Sequence, residues 1–532
     1  MSRGFANPLT ELAEFEQLQE SLKKKKGPVQ VSGCLDSQKV HLMHETMAER
    51  PWKLVVTYDD ARAKEIYEDF GCFTENAWLY PAKDLLFYSA DIHGNLITRE
   101  RLQVLRHLME DAGGVVVTTM DGLMDHLLPL ACMEEQVLHL EAGQELDLEA
   151  WKIRLAELGY ERMAQVDGMG QFSVRGGILD IYPLTEELPV RIELWDTEVD
   201  SIRTFDIESQ RSIEQLDEID IYPATEIVLT KKQAKEGVER IRKEAKTFAE
   251  KLRKQGSTEE AYRITRITQE LTEGIGEGLT QTGLDAWISY FNKETVSFLD
   301  YFDPERSMIF LDEPLRLKEQ GEAVELEFRE SMEHRLEKGY LLPGQTGLLY
   351  PAREILARAQ RKDTVYLTGL EQKLPGMTTE ARFSFDVKNM NSYHNSFEML
   401  IKDLTSWKKE RYRVILLSGS RTRASRLAED LREYDLSAFC TDDEERQVQP
   451  GEILVTFGNL HRGFAYPQIK FAVITEGDMF GKEKKKRKRK KTSYEGKKIQ
   501  SFTELSVGDY VVHEDHGLGI YRGIEKIERD GV

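Results

Sequence analysis

The chain has 532 residues, 31% of them charged and 40% hydrophobic, and its formal net charge is −21. This is the composition of a globular protein of roughly three to four domains, and it excludes collagenous and membrane-embedded chains. An acidic body does not suit non-specific DNA binding, where Lys and Arg neutralise phosphates, and it favours protein partners. Four scattered cysteines without CxxC spacing, and a first segment without an apolar secretion signal, predict a protein of the reducing cytoplasm.

Residues 1–127 alternate short Val-rich runs with helical patterns in three successive steps, which begin PVQVSG, WKLVVT and AGGVVVTT. Strands that are each followed by a helix predict an α/β domain with a parallel sheet and helices on its faces. The first strand-to-helix turn is where such a fold would hold a phosphate group.

That first turn resembles a phosphate-binding loop that has lost its function. Gly33 and Lys39 stand where GxxxxGK[ST] requires them, but Gln38 replaces the second glycine and Val40 replaces the hydroxyl that ligates Mg²⁺. A Cβ at position 38 hinders the close approach of backbone to phosphate. We therefore expect a degenerate nucleotide site that does not hydrolyse ATP.

Residues 171–206 read as three short strands, separated by turns at 183–189 and 196–197. In the middle strand Arg191 and Trp195 lie on one face, opposite a face of alternating Val, Ile and Leu. An exposed Arg beside an exposed Trp is the composition of a binding hot spot. From the pattern alone, a half-buried sheet whose polar face happens to carry one aromatic residue is the favoured explanation. Arg175 precedes two glycines, which suggests a bulge or close backbone packing.

Residues 223–375 begin with two long, charged, amphipathic segments and continue into an apolar strand that ends at Asp312 and Glu313. Two acids at the end of such a strand are the arrangement of a Mg²⁺–ATP site, but Pro314 follows them and the His of a DExH box is absent. We interpret these carboxylates as a structural remnant. The strands of this segment are predicted to join the sheet begun by residues 1–127.

The run VRGGILDIYP…VRIELWDTEVDSIRTFD…SQRSI…IYPATE resembles the UvrA-binding module that UvrB shares with the bacterial transcription-repair coupling factors. The resemblance implies a UvrB-like split parallel-sheet domain, residues 1–127 and 223–375, with this small β-containing module inserted at 128–222. It also places Arg175, Arg191 and Trp195 at positions that contact UvrA. Without the resemblance, the two arginines would be interpreted as solvated strand residues paired with Glu193 or Asp206.

UvrB itself has a functional ATP site and a long aromatic hairpin that clamps DNA. The corresponding segment here, LLFYSADIHGNLITRERLQVLRHL, is short, and Tyr88 is its only obvious tyrosine. The chain therefore resembles the coupling factors more than UvrB. The alternative is a UvrB-like, ATP-dependent damage-recognition subunit of the excision nuclease.

The remaining residues divide into three predicted parts. Residues 376–480 form a second α/β domain of unknown role, in which the turn Ser418–Gly419–Ser420 is expected to be a helix entry with a serine cap. Residues 481–498 hold a basic run that is either a solvated tether or a weak DNA contact, with eleven Lys/Arg and two Glu from Lys482 to Lys498. Residues 499–532 resemble the opening strands of the SH3/Tudor-like barrel that binds the β subunit of RNA polymerase, and the sequence ends inside it. His513 and His516 in that stretch are more typical of hairpin polar residues than of a metal site.

Taken with the resemblance, the sequence predicts the N-terminal part of a transcription-repair coupling factor, which recruits UvrA to RNA polymerase stalled at DNA damage. We expect no catalytic residue, metal or cofactor in this chain. ATP, Mg²⁺ and the DNA translocase motor belong to the whole family protein. DNA is a partner of that whole protein, and a membrane is not expected.

Overall fold

The computed structural model describes residues 8–24, 27–83, 94–276, 283–292, 294–441 and 446–481, and the backbone of 510–513 and 517–520. The chain forms two compact units, Met1–Lys482 and Glu483–Val532. In the part of the chain that the structure describes, no helix is long and apolar enough to cross a bilayer. The first unit also contains short 3₁₀ helices at Pro8–Glu11, Leu284–Trp287, Phe298–Tyr301, Pro343–Gln345 and Pro467–Ile469.

The first segment of the chain builds most of a parallel sheet. Its elements are α1 (Ala13–Lys23), β1 (Val29–Ser32), α2 (Asp36–Glu45), β2 (Trp52–Thr57), α3 (Asp60–Phe70), β3 (Ala77–Tyr80), α4 (Gly94–Met109), β4 (Gly114–Thr119) and α5 (Met120–Met124). The strands β1, β2 and β4 are the three predicted from sequence. The fourth, β3, pairs parallel with β4 at the sheet edge and was missed by the pattern of Val-rich runs.

An inserted module follows. Its elements are α6 (Leu130–Glu134), β5 (Leu138–Glu141), α7 (Leu148–Glu157), β6 (Glu161–Arg162), β7 (Gln171–Arg175), β8 (Ile178–Tyr182), β9 (Val190–Trp195), β10 (Glu198–Phe205), β11 (Ser212–Leu216) and β12 (Glu218–Ile221). Strands β6 to β11 form a six-stranded sheet in sequence order, and β5 pairs with β12.

The prediction of three strands in residues 171–206 was wrong, because there are four. The Gly176–Gly177 pair turns the chain back between β7 and β8, and Gly176 adopts a φ of +63°, which glycine tolerates without strain. Gly177 lies close to the next strand: an added Cβ would be 2.9 Å from the carbonyl oxygen of Leu194. The suggestion of close backbone packing at this pair is therefore confirmed.

The chain then returns to the first sheet. Its elements are α8 (Lys231–Lys254), α9 (Thr258–Gly276), α10 (Ile288–Phe291), β13 (Ser307–Asp312), α11 (Pro314–Glu337), α12 (Ala352–Ala359) and β14 (Thr364–Leu367). Strand β13 pairs with β2 and β14, and β14 pairs with β1, all in parallel. The predicted joining of these strands to the first sheet is confirmed, and the module is an insertion between β4 and β13.

The next segment adds one strand, β15 (Ala381–Ser384), to the first sheet and then forms a second α/β sheet. The elements after β15 are β16 (Lys388–Asn389), α13 (Phe397–Glu410), β17 (Arg413–Ser418), α14 (Arg421–Glu433), β18 (Ala438–Phe439), β19 (Ile453–Phe457), β20 (Phe464–Tyr466), β21 (Phe471–Ile474) and α15 (Glu476–Phe480). As predicted, the hydroxyl of Ser420 caps α14 by accepting from the backbone N–H of Arg423.

The two α/β parts are more closely joined than a boundary at residues 375 and 376 suggests. Strand β15 pairs with β1, which gives the first sheet the order β15-β1-β14-β13-β2-β4-β3. The second sheet has the order β16-β20-β21-β17-β19-β18. One hydrophobic core includes Val29 and Val31 of the first sheet and Phe464 and Tyr466 of the second. The second sheet therefore packs against the first rather than standing apart from it.

The second unit is described only as an antiparallel pair, β22 (Tyr510–His513) and β23 (Gly517–Ile520). Tyr88, the basic run 482–498, His516 and the rest of the predicted barrel lie outside the described residues.

Candidate binding face and remnant nucleotide site

The proposed hot spot lies on the six-stranded sheet of the inserted module. In β9 Val190 and Ile192 are 1% and 0% exposed, whereas Trp195 at the end of the strand is 82% exposed. The predicted alternation is confirmed, with Arg191 on the opposite face from Val190 and Ile192 and partly buried. A tight turn at residues 196–197 leads from Trp195 into β10. The indole therefore projects from a hairpin end, where it adds exposed aromatic surface without contributing to the core.

A buried carboxylate holds both arginines of this face. The carboxylate of Asp180 in β8 is 1% exposed, and it accepts from Nη2 of Arg175 at 2.7 Å. Nε and Nη2 of Arg191 donate to the two oxygens of the same carboxylate at 2.7 and 3.0 Å. The register of the sheet explains this convergence, because Asp180 lies directly opposite Arg191 on the neighbouring strand.

Pairing of the two arginines with Glu193 or Asp206, the interpretation that would be favoured without the resemblance, is therefore wrong. Glu193 forms its ion pair with Arg203, and the side chain of Asp206 accepts from Ser209. The guanidinium of Arg191 also lies 4.4 Å over the ring of Phe205 and donates to Gln210 Oε1 at 2.9 Å. The hydrogen bond to Asp180 raises the pKa of Arg191 above its ordinary value.

The two arginines differ in how far their side chains are exposed to solvent. The side chain of Arg191 is 14% exposed and that of Arg175 is 44% exposed. A partner that docks on this face would contact the exposed indole of Trp195 and the partly exposed guanidinium of Arg175. The guanidinium of Arg191 is mostly buried and is held in place by its hydrogen bonds. Such a face can stack on apolar groups and donate to carboxylates or carbonyls, with little side-chain entropy left to lose at Arg191.

The residues predicted to form a degenerate nucleotide site lie elsewhere, at the carboxyl edge of the first sheet. Gly33 follows β1 with a φ of +78°, and the carbonyl oxygen of Phe385 would be 2.1 Å from a Cβ added at this position. The backbone N–H of Cys34 donates to the carbonyl of Thr368 at 3.3 Å. The loop that would wrap a phosphate is instead covered by the backbone of the segment that follows β15.

The N-terminal turn of α2 is covered as well. Nε2 of Gln38 donates to the hydroxyl of Tyr466 at 3.2 Å, and Nδ1 of His41 lies 3.0 Å from the same oxygen. The hydroxyl of Ser37 accepts from the backbone N–H of Arg462 at 3.0 Å. The second α/β sheet thus occupies the approach to this helix, and Gln38 serves as a contact between the two sheets.

Lys39 is buried within an ion-pair cluster. Its Nζ lies 2.6 Å from Oδ1 of Asp312 and 2.7 Å from Oε1 of Glu313, and its side chain is 5% exposed. Burial lowers the pKa of Lys39, but the two carboxylates outweigh burial and the net shift is upward. Burial raises the pKa of Asp312, but Lys39 and Arg62 outweigh it and the net shift is downward. Lys39 and Asp312 are therefore both held in their charged forms.

The structure thus brings together Gly33, Lys39, Asp312 and Glu313, the four residues assigned to the degenerate nucleotide site. The groups that a nucleotide and Mg²⁺ would use are paired with one another. The nearby thiol of Cys34 is fully buried, and burial raises its pKa to about 12, so it is not a nucleophile. Among the described residues, no cluster of three or more His, Cys, Asp or Glu side chains is arranged to hold a metal ion.

Sequence reasoning missed the residues that complete both sites, namely Asp180, Phe385 and Tyr466. Asp180 carried a usable signal, because it is a single acid within the apolar strand Ile178–Tyr182. A buried carboxylate requires a cation, and the alternation of β9 offered Arg191 on the neighbouring strand. The sequence held no such signal for Phe385 and Tyr466, because their contacts with residues 33 and 38 depend on tertiary packing.

Comparisons with known proteins find two matching family models and several similar proteins. Residues 138–227 match the model of the UvrB interaction domain, and residues 505–532 match that of the CarD-like/TRCF RID domain. A transcription-repair-coupling factor of Bacillus subtilis is 32% identical over 480 residues, which cover 90% of this chain and 40% of that protein. One from Staphylococcus epidermidis is 28% identical over 549 residues, covering 99% of this chain and 44% of that protein. One from Staphylococcus haemolyticus is 28% identical over 517 residues, covering 94% and 42%. The chain thus spans less than half the length of these curated relatives.

Proposed function

We propose that this chain, which belongs to the transcription-repair-coupling factor family, recruits UvrA to RNA polymerase stalled at DNA damage. The proposal assigns the UvrA contact to Arg175, Arg191 and Trp195. It treats the chain as an adaptor between two protein partners and assigns it no catalytic step. The ATP-dependent translocase motor of the whole family protein has no assigned place in these residues.

The observation that carries the proposal is the exposure of Trp195. A tryptophan that is 82% exposed lies within the segment that matches the UvrB interaction domain, in the same six-stranded sheet as two arginines that a buried carboxylate holds. Trp and Arg are the residues enriched at interface hot spots, because they combine large contact area with directed hydrogen bonds. Burial of such an indole by UvrA would remove an exposed apolar group from water.

The second partner in the proposal is the β subunit of RNA polymerase. Residues 505–532 match the CarD-like/TRCF RID domain, and the described hairpin β22–β23 lies within this stretch. We assign this region to an SH3/Tudor-like barrel and place the cell compartment as the bacterial cytoplasm. The basic run Lys482–Lys498 would be a tether with at most a weak contact to DNA.

The alternative of a UvrB-like ATP-dependent subunit is disfavoured by the geometry of the remnant site. Lys39 is paired with both acids that would serve Mg²⁺, and the loop at Gly33 is covered by the Phe385 backbone. Nucleotide entry would require the second α/β sheet to separate from α2. We therefore propose that these residues stabilise the junction between the two sheets.

Binding of purified UvrA to the immobilised chain tests the main proposal. Trp195→Ala is expected to weaken binding by at least ~2 kcal/mol, which is about thirtyfold in Kd. Leu370→Ala is the control, because Leu370 is also an exposed apolar residue, at 80%, but lies outside the module. The control should bind as the wild type does. Equal affinity of the Trp195→Ala variant and the wild type would refute the assignment of the site.

A further inference from the structure

Helix α8 carries a charge opposite to that of the whole molecule. It contains ten Lys/Arg and four Glu, whereas the chain as a whole has 73 Lys/Arg and 94 Asp/Glu. The described ion pairs of α8 use Lys231, with Glu157 at 3.9 Å, and Arg240, with Glu236 at 2.9 Å. A strongly basic helix on an acidic protein creates a local positive potential, which attracts anions.

Four of these cations form a single stripe. Lys235, Arg242, Lys246 and Arg253 are exposed and are spaced seven, four and seven residues apart, which places them on one face of an α-helix. At 1.5 Å per residue, the stretch from Arg242 to Arg253 is about 16 Å long. One DNA strand places about five phosphates along that length, at 3.4 Å each.

The stripe borders a groove between α8 and the antiparallel α9. Arg242, Lys246 and Arg253 line one wall of a cavity of about 380 Å³, and Thr265, Gln269 and other polar residues line the opposite wall. Nε of Arg242 donates to the hydroxyl of Thr272 at 3.3 Å, which fixes that guanidinium at the groove. The groove is lined by three cations and by one carboxylate, that of Glu273, so its net charge is positive.

The lining favours a sugar-phosphate backbone over an acidic protein. Lys, Arg, Thr and Gln are the side chains that contact phosphates and sugars. The apolar part of the lining is Ala245 and Ala249, which provide no pocket for the aromatic or aliphatic anchor that a protein interface needs. Tyr262 is 68% exposed and precedes Thr265 on the same face of α9, where its ring is available to stack on a base.

We propose that the groove between α8 and α9 is a nucleic-acid binding surface, with Arg242, Lys246 and Arg253 contacting successive phosphates. Binding is expected to be largely independent of sequence, because the three cations contact phosphates, which carry no direct sequence information. About three phosphate contacts predict that log Kd rises with log salt with a slope of about 2.7. This surface is separate from the UvrA face, and it does not depend on the function proposed above.

The test is fluorescence anisotropy of the full chain with labelled 30-base-pair DNA and with one of its single strands, at several salt concentrations. Lys246→Glu with Arg253→Glu should weaken binding at least tenfold and lower the salt slope by about two. The matched control is Lys243→Glu with Lys254→Glu, which makes the same charge change on the same helix. Lys243 and Lys254 each follow a residue of the stripe and are therefore turned about 100° away from it. The control should stay within about threefold of the wild type.

The outcomes separate the proposal from its competitors. Equal losses for the two double variants would show a diffuse charge effect and overturn the proposal. Unchanged binding by the groove variant, with binding lost when the basic residues of 482–498 are replaced by Ser, would also overturn it. So would binding of polyglutamate in preference to either DNA. A loss caused by Tyr262→Ala for the single strand but not for the duplex would support base stacking, and melting curves check that each variant folds.

Discussion

Nζ of Lys39 lies 2.6 Å from Oδ1 of Asp312, within a cluster whose side chains are 5% and 1% exposed. In a working nucleotide site these two groups would face phosphate and Mg²⁺. Here Thr57 and Arg62 complete the hydrogen bonding of Asp312, at 2.9 and 3.5 Å. The lysine and the acids that stand at these positions are instead paired with other charged residues of the protein.

Lys39→Ala is therefore expected to be a stability variant. Removing one partner leaves Asp312 buried without its main cation, which costs about 3–5 kcal/mol. Urea denaturation measures the loss. Lys24→Ala is the control, because Lys24 pairs with Glu20 at 3.3 Å in solvent, where the pair contributes under ~1 kcal/mol. Stabilisation of the wild type by Mg²⁺–ATP that disappears in the Lys39→Ala variant would contradict this interpretation.

Gly33→Ala tests whether the covered loop holds the two sheets together. The new Cβ would lie 2.1 Å from the carbonyl oxygen of Phe385, so that the segment after β15 must move. Gly143→Ala is a matched control with a similar φ, +84° against +78°, and open space around the Cβ. We expect about 1 kcal/mol for the control and at least about 2 kcal/mol more for Gly33→Ala, measured by thermal unfolding. Equal losses of stability in the two variants would mean that the segment at Phe385 can move aside at little cost in free energy.

The secondary-structure elements could be predicted from the sequence more completely than the tertiary contacts between them. The alternation of β9 and the amphipathic helices α8 and α9 could be predicted because the period of a pattern is local. Strand β3 could not, because its sequence, AWLY, lacks the Val-rich run that marks β1, β2 and β4. Pairing of the arginines with Asp180 depends on register between strands, and the contact of Gln38 with Tyr466 joins residues 428 positions apart. Neither relation leaves a local pattern in the sequence.

A pH dependence of stability is expected at Glu45, the last residue of α2. Burial raises the pKa of this carboxyl to about 7, although Lys53 opposes the shift. A raised pKa means that the folded protein binds the proton more tightly than the unfolded chain. The stabilisation is therefore complete below the ordinary pKa of 4.5 and is lost as the pH rises through about 7.

Glu45→Gln removes this titration and checks the sign. The variant should resemble the wild type near pH 5 and exceed its stability at pH 7.5, by on the order of 2 kcal/mol. Urea denaturation at both pH values measures the difference. Glu11→Gln is a control at a carboxyl that lies on the surface and pairs with Arg413. A variant less stable than the wild type at pH 7.5 would show that the attraction to Lys53 dominates instead.

Asp180→Asn tests whether the buried carboxylate positions the proposed UvrA-binding face. The substitution keeps the shape of the side chain and removes the charge that holds Arg175 and Arg191 at 2.7 Å each. We expect at least tenfold weaker UvrA binding, although Arg175, Arg191 and Trp195 all remain. The control is Asp220→Asn, which disrupts an exposed pair with His139 in the same module and should bind normally.

A double-mutant cycle distinguishes positioning from a general loss of folding. If Asp180 acts through the arginines, then Asp180→Asn should have little further effect on binding once Arg175 and Arg191 have been replaced by Ala. A module that has lost its fold would bind no UvrA in either background, and Asp180→Asn alone would then melt far below the wild type. Additive losses would mean that Asp180 contributes independently of both arginines. The expected non-additivity would show that a carboxylate hidden from the partner orients the groups that the partner contacts.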